Sequence, residues 1–271
     1  MDERSAAWRL ERRLAVGGVA CLGLVVAGNV VMQAATPPDA VKTPILMELF
    51  TSEGCSSCPP VDEWVARLDA AQPVPGAQII VLSEHVDYWD HDGWKDPFSS
   101  AALTERQEGY ARMLGASDVY TPQVILDGDE DVKPGKTEQA KQSLVKAART
   151  PMLAVRVSSA AVASGDLTGR VEVDGTEKQG GDVFVAVALD KTLTDVLAGE
   201  NDGKKLINVA VVRDLVKIGR LEKGKSFSQQ FRIKLWSGAD ARNLRVVAFV
   251  QEPGLGKVVG AGMTKEIGKV E

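Results

Sequence analysis

Two cysteines separated by two residues, Cys55 and Cys58, lie in the segment Gly54-Cys55-Ser56-Ser57-Cys58-Pro59-Pro60, directly after the mostly apolar run Ile45 to Thr51. Thiols at this spacing suit thiol–disulfide exchange, in which one thiolate attacks and the second thiol resolves the mixed disulfide. A bridge between them serving only as a staple would close a very small loop and restrict the unfolded chain little. The one other cysteine, Cys21, falls in an apolar N-terminal segment. A cysteine at a helix N-terminus faces unpaired backbone N–H groups and the positive end of the helix dipole, both of which favour the thiolate. On this reading Cys55, just ahead of the helix, is the exposed nucleophile and Cys58 the resolving thiol. The hydroxyls of Ser56 and Ser57 are placed to donate to a thiolate.

The elements around this pair follow from hydrophobic spacing. Ile45 to Thr51 suits a buried strand, and Val61 to Leu68 has apolar residues at helical spacing behind two prolines that fit a first turn. Ala77 to Ser83 is a second strand and Ala101 to Leu114 a second helix. Thr121-Pro122 opens a third strand that runs to an Asp127-Gly128 turn; Asp131 to Gly135 adds a short fourth, and Thr137 to Arg149 a closing helix. Strand, helix, strand, helix, strand, strand, helix predicts an α/β domain of the thioredoxin type over residues 43–150. A proline opening a strand is tolerated there when the bond before it is cis. Pro122 is therefore either the second part of the site, shaping a substrate groove with Thr121, or a plain strand-start proline.

After Thr150-Pro151 the texture changes. Leu153–Val157, Leu167–Val173, Val183–Leu189, Phe227–Leu235, Leu244–Val250 and Lys257–Met263 predict strands, several with period-two alternation and glycine turns between them. Ile207 to Ile218 fits a strand or a short helix. The expectation is a second, β-rich, sandwich-like domain over residues 151–271.

The segments Glu48 to Pro60, His85-Val86-Asp87-Tyr88-Trp89-Asp90, Gly93-Trp94-Lys95-Asp96-Pro97 and Val119 to Gln123 resemble the signature blocks of a secreted, thioredoxin-like bacterial family of unknown function. Val211-Val212-Arg213 and Val250 to Ala261 are similar to its C-terminal region. The resemblance implies a thioredoxin-like fold and redox-competent cysteines, and brings no substrate with it. In such folds a cis-proline at the position of Pro122 lies against the cysteine pair. Gly54 and Ser56-Ser57 depart from ordinary thioredoxins, which carry Trp and Gly-Pro there, so their redox potential does not transfer.

The aromatic, acidic stretch from His85 to Phe98 has two readings. It caps the cysteine pair, with His85 or Asp87 as proton acceptor and Trp89 and Trp94 as a substrate surface, or it is a structural loop whose tryptophans fill the core. A competing function is copper binding by the two cysteines with His85 or His91 as third ligand, a soft donor set. A third is a binding module with a vestigial disulfide, which an inaccessible pair would favour.

The whole chain sets outer limits. It has 271 residues, 44% hydrophobic and 25% charged, enough for a packed core without staples. A net charge of −5 offers no basic patch for nucleic acid. Arg4, Arg9, Arg12 and Arg13 precede a run from Leu14 to Ala35 without a charged residue. Residues 1–36 are expected to be a signal peptide or a membrane anchor, giving an exported protein, periplasmic or held at the membrane facing the periplasm. In that compartment the pair should be oxidised unless something reduces it. The expected partner is a protein or small-thiol redox partner; the exchange reading requires no cofactor and no metal.

Overall fold

Eight of the twelve strands follow the closing helix of the N-terminal elements, and the strand Ala77–His85 pairs directly with one of them. The structure, a computed structural model, describes residues 42–269. In chain order these form β1 (Thr43–Thr51), α1 (Pro59–Ala71), β2 (Ala77–His85), α2 (Ala101–Leu114), β3 (Gln123–Leu126), β4 (Glu130–Val132) and α3 (Thr137–Ala147). Then come β5 (Leu153–Ala163), β6 (Asp166–Val173), β7 (Gly181–Asp195), β8 (Lys205–Leu221), β9 (Phe227–Lys234), β10 (Leu244–Gln251), β11 (Val258–Thr264) and β12 (Gly268–Lys269).

The expected fold class is overturned. The described residues are not an α/β thioredoxin-like domain followed by a sandwich. They form a mixed sheet of twelve strands in the order β4-β3-β1-β2-β8-β7-β10-β11-β5-β6-β9, with β12 on β5, and three helices of 13, 14 and 11 residues. The decisive contact is the outer edge of β2, whose Ser83 pairs in parallel with Val211 of β8. Unpaired strand edges need partners, and the 17-residue β8 supplies one while also pairing along most of its length with β7. Ile207 to Ile218 is thus strand, and strands from both sides of Thr150-Pro151 join one sheet. The element order of the N-terminal half is as the spacing predicts; what it assembles into is not. The export segment and Cys21 lie outside the described residues. No helix among the described residues is long and apolar enough to cross a membrane.

Three features of the fold bear on the cysteine pair. Ile45, Met47 and Leu49 of β1 pack with Ile79 and Val81 of β2 against Val65 of α1 and Ala140 and Leu144 of α3, so α1 starts beside the end of β1. The far end of α1 is fixed by Arg245 of β10, whose guanidinium is bonded to both carboxylate oxygens of Asp69 at 2.9 Å and to Asp190. On the opposite sheet face, buried Arg106 anchors α2: its Nε donates to Glu48 Oε1 at 2.7 Å, and its Nη2 to Tyr110 Oη and Gln251 Oε1, each at 3.1 Å.

The β10–β11–β5 seam depends on glycine. A Cβ on Gly262 would collide with the Val155 carbonyl. Gly262→Ala is expected to pry β11 from β5 and cost about 1–3 kcal/mol, the usual range for overpacking. Denaturant unfolding measures this, and an unchanged midpoint would refute the tight seam.

Candidate redox site

β1 ends at Thr51, and the chain turns tightly before α1. Cys55 N donates to Ser52 O, and Cys58 N to Cys55 O, each at 3.2 Å. Cys58 is the N-cap residue, and Val61 N and Asp62 N both donate to its carbonyl. Pro59 and Pro60 occupy the first helical positions, where their missing donors cost nothing. Cys55 and Cys58 form a disulfide with Cα atoms 5.5 Å apart. Ser57 Oγ lies 3.3 Å from Cys55 Sγ.

One expectation fails here. Cys55 is not an exposed nucleophile: both cysteines are 0% exposed, and only Ser56 and Ser57 between them reach solvent. Two elements press on the turn. The first is Trp89, whose Cβ would sit 3.1 Å from a Cβ on Gly54, so a larger residue at 54 would displace it. The second is the loop between β7 and β8, in which buried Asn201 donates its side-chain amide to Glu53 O at 2.8 Å and Cys55 O at 3.0 Å. Next to it, Glu200 Oε2 accepts from Ser56 N at 3.0 Å.

Trp89 also reaches the predicted second part of the site. Its Nε1 donates to Thr121 Oγ1 at 2.8 Å, linking the cysteine turn to the Thr121–Pro122 step, which is a cis peptide. Gln107 of α2 holds this step from the other side by donating to Tyr120 O at 2.8 Å and to Gln123 Oε1 at 3.0 Å. Trp89→Phe, which loses the donor together with part of the indole's packing, is expected to lower stability by at least about 1 kcal/mol, the net worth of a partly buried hydrogen bond. No change in the unfolding free energy would remove Trp89 as the link.

Behind the turn lies a buried set of ionisable groups. His85, the register partner of Thr51, has its Nδ1 2.7 Å from Asp96 Oδ2, and both side chains are fully buried. The same Asp96 oxygen accepts from Glu53 N at 2.8 Å. Burial pushes the imidazole down, but the adjacent Asp96 carboxylate outweighs it, and the net shift is upward. Burial pushes Asp96 up; His85 and the amides of Glu53 and Phe98 outweigh that and hold it low. His85 Nε2 is buried with no hydrogen-bond partner. Glu53 accepts from Trp94 Nε1 at 3.2 Å, and burial and Asp96 raise its carboxyl. Asp62, one helical turn beyond Cys58, accepts from Thr51 Oγ1 at 2.8 Å; burial raises it to about 7. Burial thus raises the carboxyls of Glu53 and Asp62, while Asp96 beside the imidazole is held low. A cavity of about 120 Å³, lined by Pro59, Asp62, Lys205, Ile207 and Asn208, opens onto Asp62.

Other predicted residues belong elsewhere. Asp87 is engaged by α2: its Oδ1 accepts from Thr104 Oγ1 at 2.7 Å, and its N–H donates back to the same hydroxyl at 3.1 Å. His91 is 75% exposed beside Asp92, apart from His85 in its buried pair. No group of three His, Cys, Asp or Glu side chains that could hold a metal forms among the described residues, so the copper donor set is not assembled. Sequence reasoning missed Asp62, Glu53, Asp96, Glu200 and Asn201. Asp96 and Glu53 lie within the motifs and were within reach of it; Asn201, 146 residues beyond Cys55 and partnered through a loop, had no local signal.

Residues 46–251 match the family described as "Protein of unknown function (DUF1223)". No curated protein matches the chain. Among solved structures, the chain is similar to a structural-genomics target from Agrobacterium tumefaciens, with 28% identity and a TM-score of 0.64 over 81% of this chain and 92% of that one. The sporulation control protein Spo0M of Bacillus subtilis (12% identity, TM-score 0.31, 44% of this chain and 49% of that one) shares too little to bear on the fold. The same holds for a domain of the outer membrane lipoprotein Omp28 of Porphyromonas gingivalis (15%, TM-score 0.27, 45% of this chain and 92% of that one).

Proposed function

We propose that this chain, which belongs to the DUF1223 family of proteins of unknown function, is an exported thiol–disulfide oxidoreductase working through Cys55 and Cys58. The observation that carries the reading is the disulfide at the junction of β1 and α1 with protonatable side chains packed behind it. In the exchange, a thiolate of a partner dithiol attacks Cys55 Sγ, the Cys55–Cys58 bond breaks, and its electron pair leaves on Cys58 Sγ, which takes a proton. The partner's second thiolate then attacks the mixed disulfide and releases Cys55 as a thiolate. Two electrons pass to the pair, and the partner leaves as a disulfide; the reverse sequence oxidises a dithiol. Asp62, following Cys58 in the helix and open to the cavity, supplies and recovers the proton at Cys58. His85 sets the charge state of this acid cluster through Asp96. Trp89 and the Thr121–Pro122 step form the substrate-facing wall, and Trp94 supports Glu53.

Export rests on the uncharged run from Leu14 to Ala35 behind four arginines. A partner protein or small thiol outside the cytoplasm is then the source or sink of electrons. The test is reduction of insulin disulfides with dithiothreitol as terminal reductant: the oxidised chain should accelerate it well above the uncatalysed rate.

The burial of the pair favours a second reading, a binding module in which the disulfide does no exchange. A pair that stays oxidised in excess reductant until the protein unfolds would establish that reading instead.

A further inference from the structure

The disulfide is inaccessible, and part of what seals its turn comes from far along the chain. The β7–β8 loop, Val196 to Lys204, is a closed unit: Val196 N donates to Lys204 O, and Gly203 N to Val196 O, each at 2.9 Å. Lys204 Nζ donates to Asn201 Oδ1 at 2.8 Å, orienting the amide so that both of its hydrogens serve the cysteine turn. All of the loop's side-chain bonds to that turn pass through two residues. Asn201 grips the carbonyls on either side of Gly54, and Glu200 occupies the amide of Ser56.

Gly199 completes the seating. Its φ is +76°, and a Cβ there would come within 3.0 Å of Trp94 Cβ and 3.1 Å of the Asp92 carbonyl, so only glycine lets the loop lie this close. The position of Glu200 adds a chemical consequence. An N–H next to the nucleophile normally helps to stabilise a thiolate. Here it is spent on a carboxylate, whose own negative charge opposes ionisation of Cys55.

We infer that the Val196–Lys204 loop is a gate over the Cys55–Cys58 pair, with Asn201 as its latch, Gly199 as its seat and Glu200 as the charge that opposes ionisation of Cys55 once the pair is reduced. The inference deepens the redox reading by stating how a buried pair meets its partner: a reductant reacts only with molecules whose loop has swung away. Asn201 and Glu200 are positioning residues, since neither touches sulfur.

The experiment follows reduction of the oxidised full-length chain by tris(2-carboxyethyl)phosphine under native conditions, with N-ethylmaleimide quenching and mass counting. Cys21 contributes a constant background, and two further adducts report the pair. Asn201→Ala loses two buried hydrogen bonds and should be reduced about tenfold faster than wild type. Gly199→Ala, which unseats the loop without touching its charges, should move the same way. Glu200→Gln keeps an acceptor for Ser56 N and removes the charge. It should leave phosphine access near the wild-type rate while raising the thiolate fraction of Cys55 at a given pH. Gly262→Ala, destabilised far from the loop, should be reduced at the wild-type rate. Equal rates for folded Asn201→Ala, Gly199→Ala and wild type overturn the gate, as does equal acceleration in Gly262→Ala, which would mean access by global unfolding. If Asn201→Ala does not fold, Gly199→Ala decides. Failure in the insulin assay alongside accelerated phosphine reduction would defeat the redox reading and leave the gate standing.

Discussion

Cys55→Ser is expected to bring insulin reduction down to the rate of dithiothreitol alone, whereas Cys58→Ser retains the attacking thiol and accumulates mixed disulfides with its partner. The asymmetry follows from the turn. Cys55 has the Ser57 hydroxyl 3.3 Å from its sulfur. Cys58 is the N-cap of α1, its carbonyl already taken by Val61 N and Asp62 N. A hydroxyl beside Cys55 Sγ favours its thiolate, and the thiol that leaves needs a proton source, which Asp62 in the first turn of α1 supplies. Loss of the resolving thiol should therefore trap adducts at Cys55, seen as a mass increase that reductant reverses. If Cys55→Ser retains catalysed turnover, or if Cys58→Ser captures no partner, the assignment of the two roles fails.

Much of this site was legible in the sequence, because its parts sit where local patterns change. The cysteine turn falls between an apolar run and two prolines, and Thr121-Pro122 opens a strand, so both could be placed from spacing alone. The strands after Pro151 announced themselves by alternation. What alternation does not carry is partner identity. It tells that β2 and β8 are strands, not that Ser83 meets Val211, and that one pairing makes a twelve-stranded sheet out of what reads as two separate units. The same limit applies to the gate. Asn201 has no neighbour in sequence that hints at Cys55, and its role depends on a hairpin closing back over a turn. In the stretch from His85 to Phe98 the sequence points to Asp87 as the acid beside His85, and gives Asp96 no role. Asp96 is drawn inward by His85 and two backbone amides, while Asp87 is held by Thr104 of a helix whose place is set by Arg106. Which acid pairs with His85 is a tertiary fact.

Asp62→Asn should remove the largest pH dependence of the site. Burial raises the Asp62 carboxyl to about 7 in the folded chain, against 3.8 for the free side chain. The native state therefore keeps a proton that the unfolded chain gives up across that interval. Stability contributed by this group is complete below about pH 4, declines as the pH rises toward 7, and is flat beyond. Each tenfold difference in proton affinity between the two states is worth about 1.4 kcal/mol, so the whole decline is on the order of a few kcal/mol. Asparagine presents the same oxygen to Thr51 Oγ1 and cannot ionise, so the variant should match wild type near pH 4 and be the more stable protein at pH 8. Asp127, also raised to about 7 by burial, and Glu84, raised by burial and by Glu48, tilt the wild-type curve in the same direction. The difference between wild type and Asp62→Asn isolates Asp62 from both. Unfolding free energies from denaturant titrations of the oxidised proteins at about pH 4 and pH 8 supply that difference. The same substitution removes the proton source for Cys58, so the step near pH 7 in the exchange rate should vanish together with the step in stability. Parallel stability curves for the two proteins would show that Asp62 is ionised throughout, and the proton relay would lose its donor.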